Sequence, residues 1–237
     1  MSRRITEVDW QSTPWGEISL RRRHDLVLDR EVYEVLLGEE YLMSSSFTAA
    51  EEELASLALG LVSGPELRVL VGGLGLGYTA REVLRDERVA ELTVVDAIAP
   101  VISWHQQGLV PLGEEVSGDS RTTLHEGDFF DLVRRGAGPC SEARWDAVIV
   151  DIDHSPRHTL APENAWLYTE EGTAALAALV VPEGVFALWS NDPPDEAYER
   201  VLRAHFADVR SQVVSFPNPL QGGHSTNTVY LAQAAGR

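Results

Sequence analysis

Lysine is absent from this chain of 237 residues, so its 19 basic residues other than histidine are all arginine. Without lysine the chain can form neither a Schiff base nor a Walker-type phosphate loop, which excludes pyridoxal phosphate enzymes and P-loop NTPases. Basic residues are also few beside the 37 acidic ones, and the formal net charge is −18. We therefore expect no nucleic-acid partner, because such binding needs a basic face that displaces counterions from phosphates.

Cysteine and long apolar runs are scarce as well. The one cysteine, Cys140, excludes an internal disulfide framework and is consistent with a reducing compartment. It stands in a loop-like stretch, and we interpret it as an incidental thiol. No run of 18 apolar residues occurs, and the first residues lack the apolar core of a signal peptide. These absences predict a cytoplasmic protein that has no membrane partner.

The order of apolar patterns along the chain predicts an α/β fold. Residues 15–46 have the alternation of β-structure, including a hairpin, and residues 47–59 have a helical pattern. From residue 67 onward, short apolar strands alternate with helices, and the last two strands are expected to be antiparallel. This alternation predicts a doubly wound, mostly parallel, Rossmann-like sheet of seven strands. We divide the chain into residues 1–63, a β-hairpin segment with a lead helix, and residues 64–237, the Rossmann-like domain.

A glycine-rich loop between the first strand of that domain and the next helix is the strongest local signal. Gly73, Gly75 and Gly77 stand at alternate positions, where glycine permits a tight turn and close approach of a ligand to the backbone. The dinucleotide fingerprint needs a glycine at the sixth position, which is Tyr78 here. The spacing therefore fits the α/β folds that bind S-adenosylmethionine better than those that bind NAD.

Two acidic residues follow the next two strands. A carboxylate at Asp96, where the second strand ends, can accept hydrogen bonds from both hydroxyls of an adenosine ribose. Asp128, after Gly127, can accept one from an adenine amino group. The alternatives are a turn cap at Asp96 and a helix N-cap at Asp128. With the glycine loop, the two residues predict a site for an adenosyl nucleoside.

Several segments in order carry a family resemblance: residues 73–83, 127–129, 145–156 and 167–172, together with Asp96. In these segments the chain resembles the spermidine synthase (polyamine aminopropyltransferase) family of class I S-adenosylmethionine-dependent transferases, over roughly residues 35 to 189. The resemblance implies that family's fold and its use of an adenosyl donor. It also implies that Asp151, which matches the family's catalytic base, acts as base or orienting group.

The departures from the family pattern bear on the donor. Leu76 stands where the synthases have an aspartate that helps to hold the donor's ammonium, and His154 replaces a second acid. Ala50 and Glu51 align with the helix that supplies a tyrosine and a histidine in the family. Intact S-adenosylmethionine carries a carboxylate that an aspartate at position 76 would repel, so Leu76 favours the intact donor. We therefore predict methyl transfer to a small-molecule acceptor. Aminopropyl transfer from decarboxylated S-adenosylmethionine and non-catalytic nucleoside binding remain the alternatives.

Specific site residues follow from these motifs. Asp151 is the expected base, and Asp153 and His154 are further acid–base candidates. Because nothing completes the Asp-x-Asp-His cluster as a ligand set, we expect no metal site. An amine is one candidate acceptor, and the resemblance implies a homodimer. The residues expected to contact S-adenosylmethionine or its decarboxylated form are Gly73, Gly75, Leu76, Gly77, Asp96, Ala97, Gly127, Asp128, Phe129 and Asp151.

Overall fold

A computed structural model describes residues 5–136 and 144–236, so Cys140 lies outside the described residues. The chain begins with a four-stranded antiparallel sheet in which consecutive strands pair. Its strands are β1 (Ile5–Thr13), β2 (Gly16–Asp25), β3 (Arg30–Leu37) and β4 (Glu40–Ser44). The predicted hairpin is confirmed as β3 and β4, whereas β1 was not predicted. Most of the side chains of β1 are exposed, so its sequence shows no clear apolar face.

The second sheet has seven strands in the order β10-β11-β9-β8-β5-β6-β7. The strands from β5 to β9 run parallel, β11 is antiparallel to β9, and β10 is antiparallel to β11. The predicted doubly wound, mostly parallel sheet is therefore confirmed. Its strands are β5 (Leu67–Gly72), β6 (Val89–Asp96), β7 (Thr122–Glu126), β8 (Trp145–Val150), β9 (Val180–Ser190), β10 (Asp208–Asn218) and β11 (Gly223–Gln233).

Helices cover this sheet. They are α1 (Ala49–Leu59), α2 (Tyr78–Leu84), α3 (Ala99–Gln106), α4 (Gly113–Ser117), α5 (Phe129–Arg135), a 3-10 helix (Pro162–Tyr168), α6 (Glu170–Ala177) and α7 (Glu196–Arg203). The lead helix α1, which we had grouped with the N-terminal hairpin, packs against α2, β9 and β11 of the larger sheet. The division at residues 63 and 64 stays a prediction. None of the helices in the described ranges is long and apolar enough to cross a bilayer.

The core forms on both faces of the parallel strands. Val69 and Val71 of β5 face one apolar cluster, and Leu70 between them faces the other. All three side chains are fully buried, and burying each one contributes about 1.5–3 kcal/mol. This packing fixes the strand ends on which the site is built. On either side of β5 lie β6 and β8, so the chain reverses its winding there and leaves a crevice at the carboxyl edge.

Candidate functional site

A cavity of about 230 Å³ opens at this carboxyl edge. Five carboxyl side chains line it: Glu51, Asp96, Asp128, Asp151 and Asp153. Among the described residues of its wall, none is arginine, histidine or lysine. The rest of the wall is largely apolar and includes Trp15, Leu42, Met43, Phe129 and Trp189. The site is therefore an acidic cavity with apolar sides, which suits a cationic ligand that has apolar parts.

The glycine loop forms one wall because its backbone passes very close to its neighbours. At Gly73 the angle φ is +93°, and an added Cβ would lie 2.1 Å from the Asp151 carbonyl oxygen. His105 of α3 holds the same loop, since its Nε2–H donates to the Gly75 carbonyl oxygen over 3.1 Å. Burial lowers the pKa of His105 to about 4, so the ring is neutral and acts as a fixed donor. Loop and helix are therefore locked together.

Asp96 and Asp128 occupy the end of the cavity below β6 and β7. Asp96 Oδ2 accepts from the Leu74 N–H at 2.9 Å and Oδ1 from the Ile98 N–H at 2.8 Å, which aims the carboxylate. Each of these oxygens keeps acceptor capacity for a ribose hydroxyl. Asp128 Oδ1 accepts from the Phe130 N–H at 2.8 Å and caps α5. The capping alternative is therefore observed at Asp128, although the residue also reaches the cavity.

The predicted nucleoside contacts fall into two groups. Those that line the cavity are Gly73, Gly75, Asp96, Ala97, Asp128, Phe129 and Asp151. The wall, as far as the described ranges show it, does not include Leu76, Gly77 or Gly127. Leu76 is fully buried in the core beside the start of α2, and Gly77 packs against His105. The donor contacts proposed for these three residues stay predictions that the shape of the cavity does not support.

Asp151 lines the cavity on the β8 side, across β5 from Asp96, and Glu51 is its neighbour there. Asp151 follows β8, and its Oδ2 accepts from the Thr79 hydroxyl at 2.9 Å. Burial raises the pKa of Asp151 to about 6. Glu51, in the first turn of α1, has its pKa raised to about 8 by burial first and by the charge of Asp151 second. The cavity thus holds two neighbouring carboxyl groups that resist being ionised together.

Asp153 and His154, the other acid–base candidates, have different surroundings. Asp153 is buried, and three donors from the segment that follows it occupy its carboxylate. His154 Nε2 lies 3.0 Å from Glu40 Oε1, which links this loop to the N-terminal sheet, and His154 is outside the described cavity wall. Within the described ranges no group of three His, Cys, Asp or Glu side chains is arranged to hold a metal. The catalytic roles of Asp153 and His154 stay predictions, and their contacts are those of residues that hold the fold.

Sequence reasoning missed two parts of the wall, Trp15 and Glu51. Trp15, in the turn between β1 and β2, brings the N-terminal sheet over the cavity, as does Met43 of β4, which the family resemblance had placed at the acceptor entrance. Glu51 was noted only as a departure from the family pattern. Its alignment with the family helix that supplies a tyrosine and a histidine could have identified Glu51 as a site residue. The local sequence around Trp15 gives no such signal, because an aromatic residue in a turn does not show which part of the protein it will pack over.

Comparisons with known proteins agree with this architecture. The family described as "Spermine/spermidine synthase domain" matches residues 48–214. Polyamine aminopropyltransferase 2 of Streptomyces coelicolor is 35% identical over 176 residues, which are 73% of this chain and 29% of that protein. The polyamine aminopropyltransferase of Sulfolobus acidocaldarius is 27% identical over 168 residues, 71% of this chain and 50% of that protein. The chain thus spans only 29% to 50% of the length of these two relatives.

Solved structures give the same result for the fold. A spermidine synthase in complex with the transition-state analogue AdoDATO superposes with a TM-score of 0.73 at 19% identity, covering 98% of this chain and 74% of the other. The spermidine synthase of Thermotoga maritima has a TM-score of 0.71, also at 19% identity and with the same coverage. This likeness confirms the mixed α/β fold, with a seven-stranded sheet preceded by an antiparallel β segment.

Proposed function

Because the chain belongs to the spermine/spermidine synthase family, we propose that it transfers an aminopropyl group from decarboxylated S-adenosylmethionine to a small amine. This proposal adopts the alternative raised from the sequence and replaces the predicted methyl transfer, which the comparisons do not support. The names of the relatives support a transferase of this family. The choice of donor and acceptor is inferred from the cavity.

The charge of the cavity carries the proposal. Five carboxyl groups line it, and no basic side chain does among the described residues of its wall. A donor carboxylate at the Asp151 end would meet like charge, at a cost of about 4 kcal/mol for two full charges 4 Å apart near a protein surface. The ammonium of the decarboxylated donor would be attracted there instead. Leu76 is a single position, whereas the charge of the whole cavity favours the decarboxylated donor.

The remaining residues fit an adenosyl donor. Asp96 and Asp128 line the cavity, which supports a role in holding the nucleoside, and its 5′ substituent would then extend across β5 towards Asp151. When bound, the donor supplies a sulfonium, whose carbon–sulfur bond breaks as the acceptor nitrogen bonds to the aminopropyl carbon. Asp151, held by Thr79, would orient that nitrogen and accept a proton from it. Trp15, Leu42 and Trp189 provide apolar contacts for the methylene chain of an aliphatic amine. A cytoplasmic location and a homodimeric assembly remain parts of the proposal.

Turnover distinguishes this function from methyl transfer. The purified chain is incubated with putrescine and either decarboxylated or intact S-adenosylmethionine, and chromatography follows the release of methylthioadenosine and of S-adenosylhomocysteine. We expect methylthioadenosine and an aminopropylated amine from the decarboxylated donor only. The variant Asp151→Asn should bind the nucleoside and turn over about 100-fold or more slowly. A methylated amine formed from the intact donor would refute the proposal.

A further inference from the structure

Glu51 and Asp151 are neighbouring carboxyl groups of the cavity wall, and neither has a basic partner among the residues that the structure describes. We propose that the two residues together hold a single proton, which is exchanged for the ammonium group of the donor, so that Glu51 determines the preference for an amine-bearing donor. This inference rests on the proposed function, because it presumes an adenosyl donor. It assigns to helix α1 the acidic group that the glycine loop lacks at Leu76.

The packing of α1 brings the two groups together. Thr79, which is buried, donates its hydroxyl to Asp151 Oδ2 over 2.9 Å, and the same hydroxyl oxygen lies 3.5 Å from the Glu51 carbonyl oxygen. The first turn of α1 is thereby docked beside the end of β8. Glu51 lines the cavity, and within the described ranges no side chain forms a hydrogen bond or an ion pair with its carboxyl group.

The charges around the pair leave it short of a cation. Glu52, the neighbour of Glu51, pairs with Arg81 over 3.0 Å and also accepts from the Thr48 hydroxyl at 2.9 Å. Arg81 is therefore engaged away from the pair. In the described part of the wall, the other ionisable groups are Asp96, Asp128 and Asp153, all of them acids. Because the surrounding ionisable groups are acids, ionisation of both Glu51 and Asp151 is unfavourable, and burial raises the pKa of both residues.

The position of the pair fits the arm of a donor. Asp96 ends β6 on one side of β5, and Asp151 follows β8 on the other side. A nucleoside held at Asp96 would extend its 5′ substituent across the glycine loop towards Asp151 and Glu51. An ammonium arriving there supplies the missing positive charge, lowers the pKa of the pair and expels the proton.

Two nucleosides that differ in the amine arm test this exchange. The probes are 5′-methylthioadenosine and 5′-deoxy-5′-(3-aminopropylthio)adenosine, which has the ammonium but no sulfonium charge. Calorimetric titrations near neutral pH in two buffers of different ionisation enthalpy give the affinity and the number of protons released. We expect the amine-bearing probe to bind about tenfold more tightly, as a charged hydrogen bond implies, and to release up to about one proton. Methylthioadenosine should release none.

A pair of neighbouring variants isolates Glu51. Glu51→Gln should bind methylthioadenosine like the wild type but lose both the preference for the amine and the proton release. The control Glu52→Gln, which changes the next residue of the same helix, should keep both. Circular dichroism and thermal unfolding show whether each variant is folded. Above about pH 8, Glu51→Gln should be more stable than the wild type, because it removes an unfavourable charge.

The outcomes separate the two proposals. If both nucleosides bind but Glu51→Gln keeps the amine preference, or if the amine-bearing probe releases no proton, the role of Glu51 is wrong while the nucleoside site stands. If neither nucleoside binds the wild type, both this inference and the proposed function are wrong. Loss of preference in Glu52→Gln as well would also overturn the assignment, because the effect would then belong to the helix as a whole.

Discussion

Substitution of Asp153 distinguishes a residue that anchors the cavity wall from one that transfers protons. Asp153 Oδ1 accepts from the Leu160 N–H and from Asn164 Nδ2, both at 2.8 Å, and Oδ2 accepts from the Tyr168 hydroxyl at 2.8 Å. Leu160 and Asn164 also line the cavity. The carboxylate therefore fixes the segment that closes this side of the site. We expect removal of the carboxylate to lower the stability of the fold more than it lowers kcat.

The expected loss of stability can be worked out from the three hydrogen-bond donors to Asp153. Hydrogen bonds to a charged group contribute about 1.5–3 kcal/mol each, and burying the carboxylate costs several kcal/mol in return. Burial accordingly raises the pKa of Asp153. Asp153→Ala leaves the buried Tyr168 hydroxyl unsatisfied, while the groups nearer the cavity can rehydrate, which implies a net loss of about 3 kcal/mol. Asp153→Asn keeps one acceptor oxygen, and its amide can donate to the Tyr168 hydroxyl, so we expect a loss of about 1 kcal/mol.

Urea unfolding and steady-state kinetics measure these effects. We expect the free energy of unfolding to fall in the order wild type, Asp153→Asn, Asp153→Ala, with Tyr168→Phe lower than wild type by about 1–2 kcal/mol. The effects of Asp153→Ala and Tyr168→Phe should add to more than the double variant loses, because the two residues share one hydrogen bond. For Asp153→Asn, KM should rise while kcat stays within about fivefold of wild type. If Asp153→Asn instead unfolded like the wild type and lost kcat by about 100-fold, Asp153 would be a catalytic acid or base.

Three further predictions concern the loop and the acid pair. Gly73→Ala should abolish nucleoside binding in calorimetry, because its Cβ would meet the Asp151 carbonyl oxygen at 2.1 Å and φ is +93°; unchanged affinity would contradict this. His105→Phe should weaken nucleoside binding by about tenfold, since the loop loses its donor to the Gly75 carbonyl oxygen, and equal affinity would show that the loop holds itself. Between about pH 5 and pH 8 the native state retains protons on Glu51 and Asp151 that the unfolded chain has lost, so stability should fall as pH rises. Urea midpoints across that range should decline less in Glu51→Gln, and parallel curves would rule out the raised pKa.

Much of the fold could be predicted because parallel strands covered on both faces are apolar throughout. Residues 147–150 of β8 are fully buried, and their uninterrupted apolar run predicted this. Strand β1 escaped because its two faces are mostly exposed, so it lacks the alternation that marks a half-buried strand. The lead helix α1 was predicted, but the sheet it packs against was not, because its sequence shows an apolar face and not the sheet that this face will cover.

The site residues likewise include some that the sequence could predict and some that it could not. The positions of Asp96 and Asp151 could be predicted because Asp96 ends one parallel strand and Asp151 directly follows another, and the carboxyl ends of such strands lie at one edge of the sheet. Glu51 and Trp15 could not, because the docking of α1 and of the first hairpin decides where they point, and neither is a local property of the sequence. The partners of Asp153 come from the 3-10 helix and the loop before it, whose fold is irregular and has no periodic signal.

The surroundings of Leu76 are unfavourable for an aspartate at this position of the glycine loop. The Leu76 side chain is fully buried in the core, and its N–H faces Met43 Sδ at 3.1 Å. A carboxylate at position 76 would be desolvated there without a partner, at a cost of several kcal/mol. We therefore expect Leu76→Asp to lower the free energy of unfolding and to leave the affinity for an amine-bearing nucleoside no higher, measured by urea unfolding and calorimetry. In the Glu51→Gln background, Leu76→Asp should not restore the amine preference. If it did, the acidic group of this family would act through the position it occupies in the loop rather than through the total charge of the cavity.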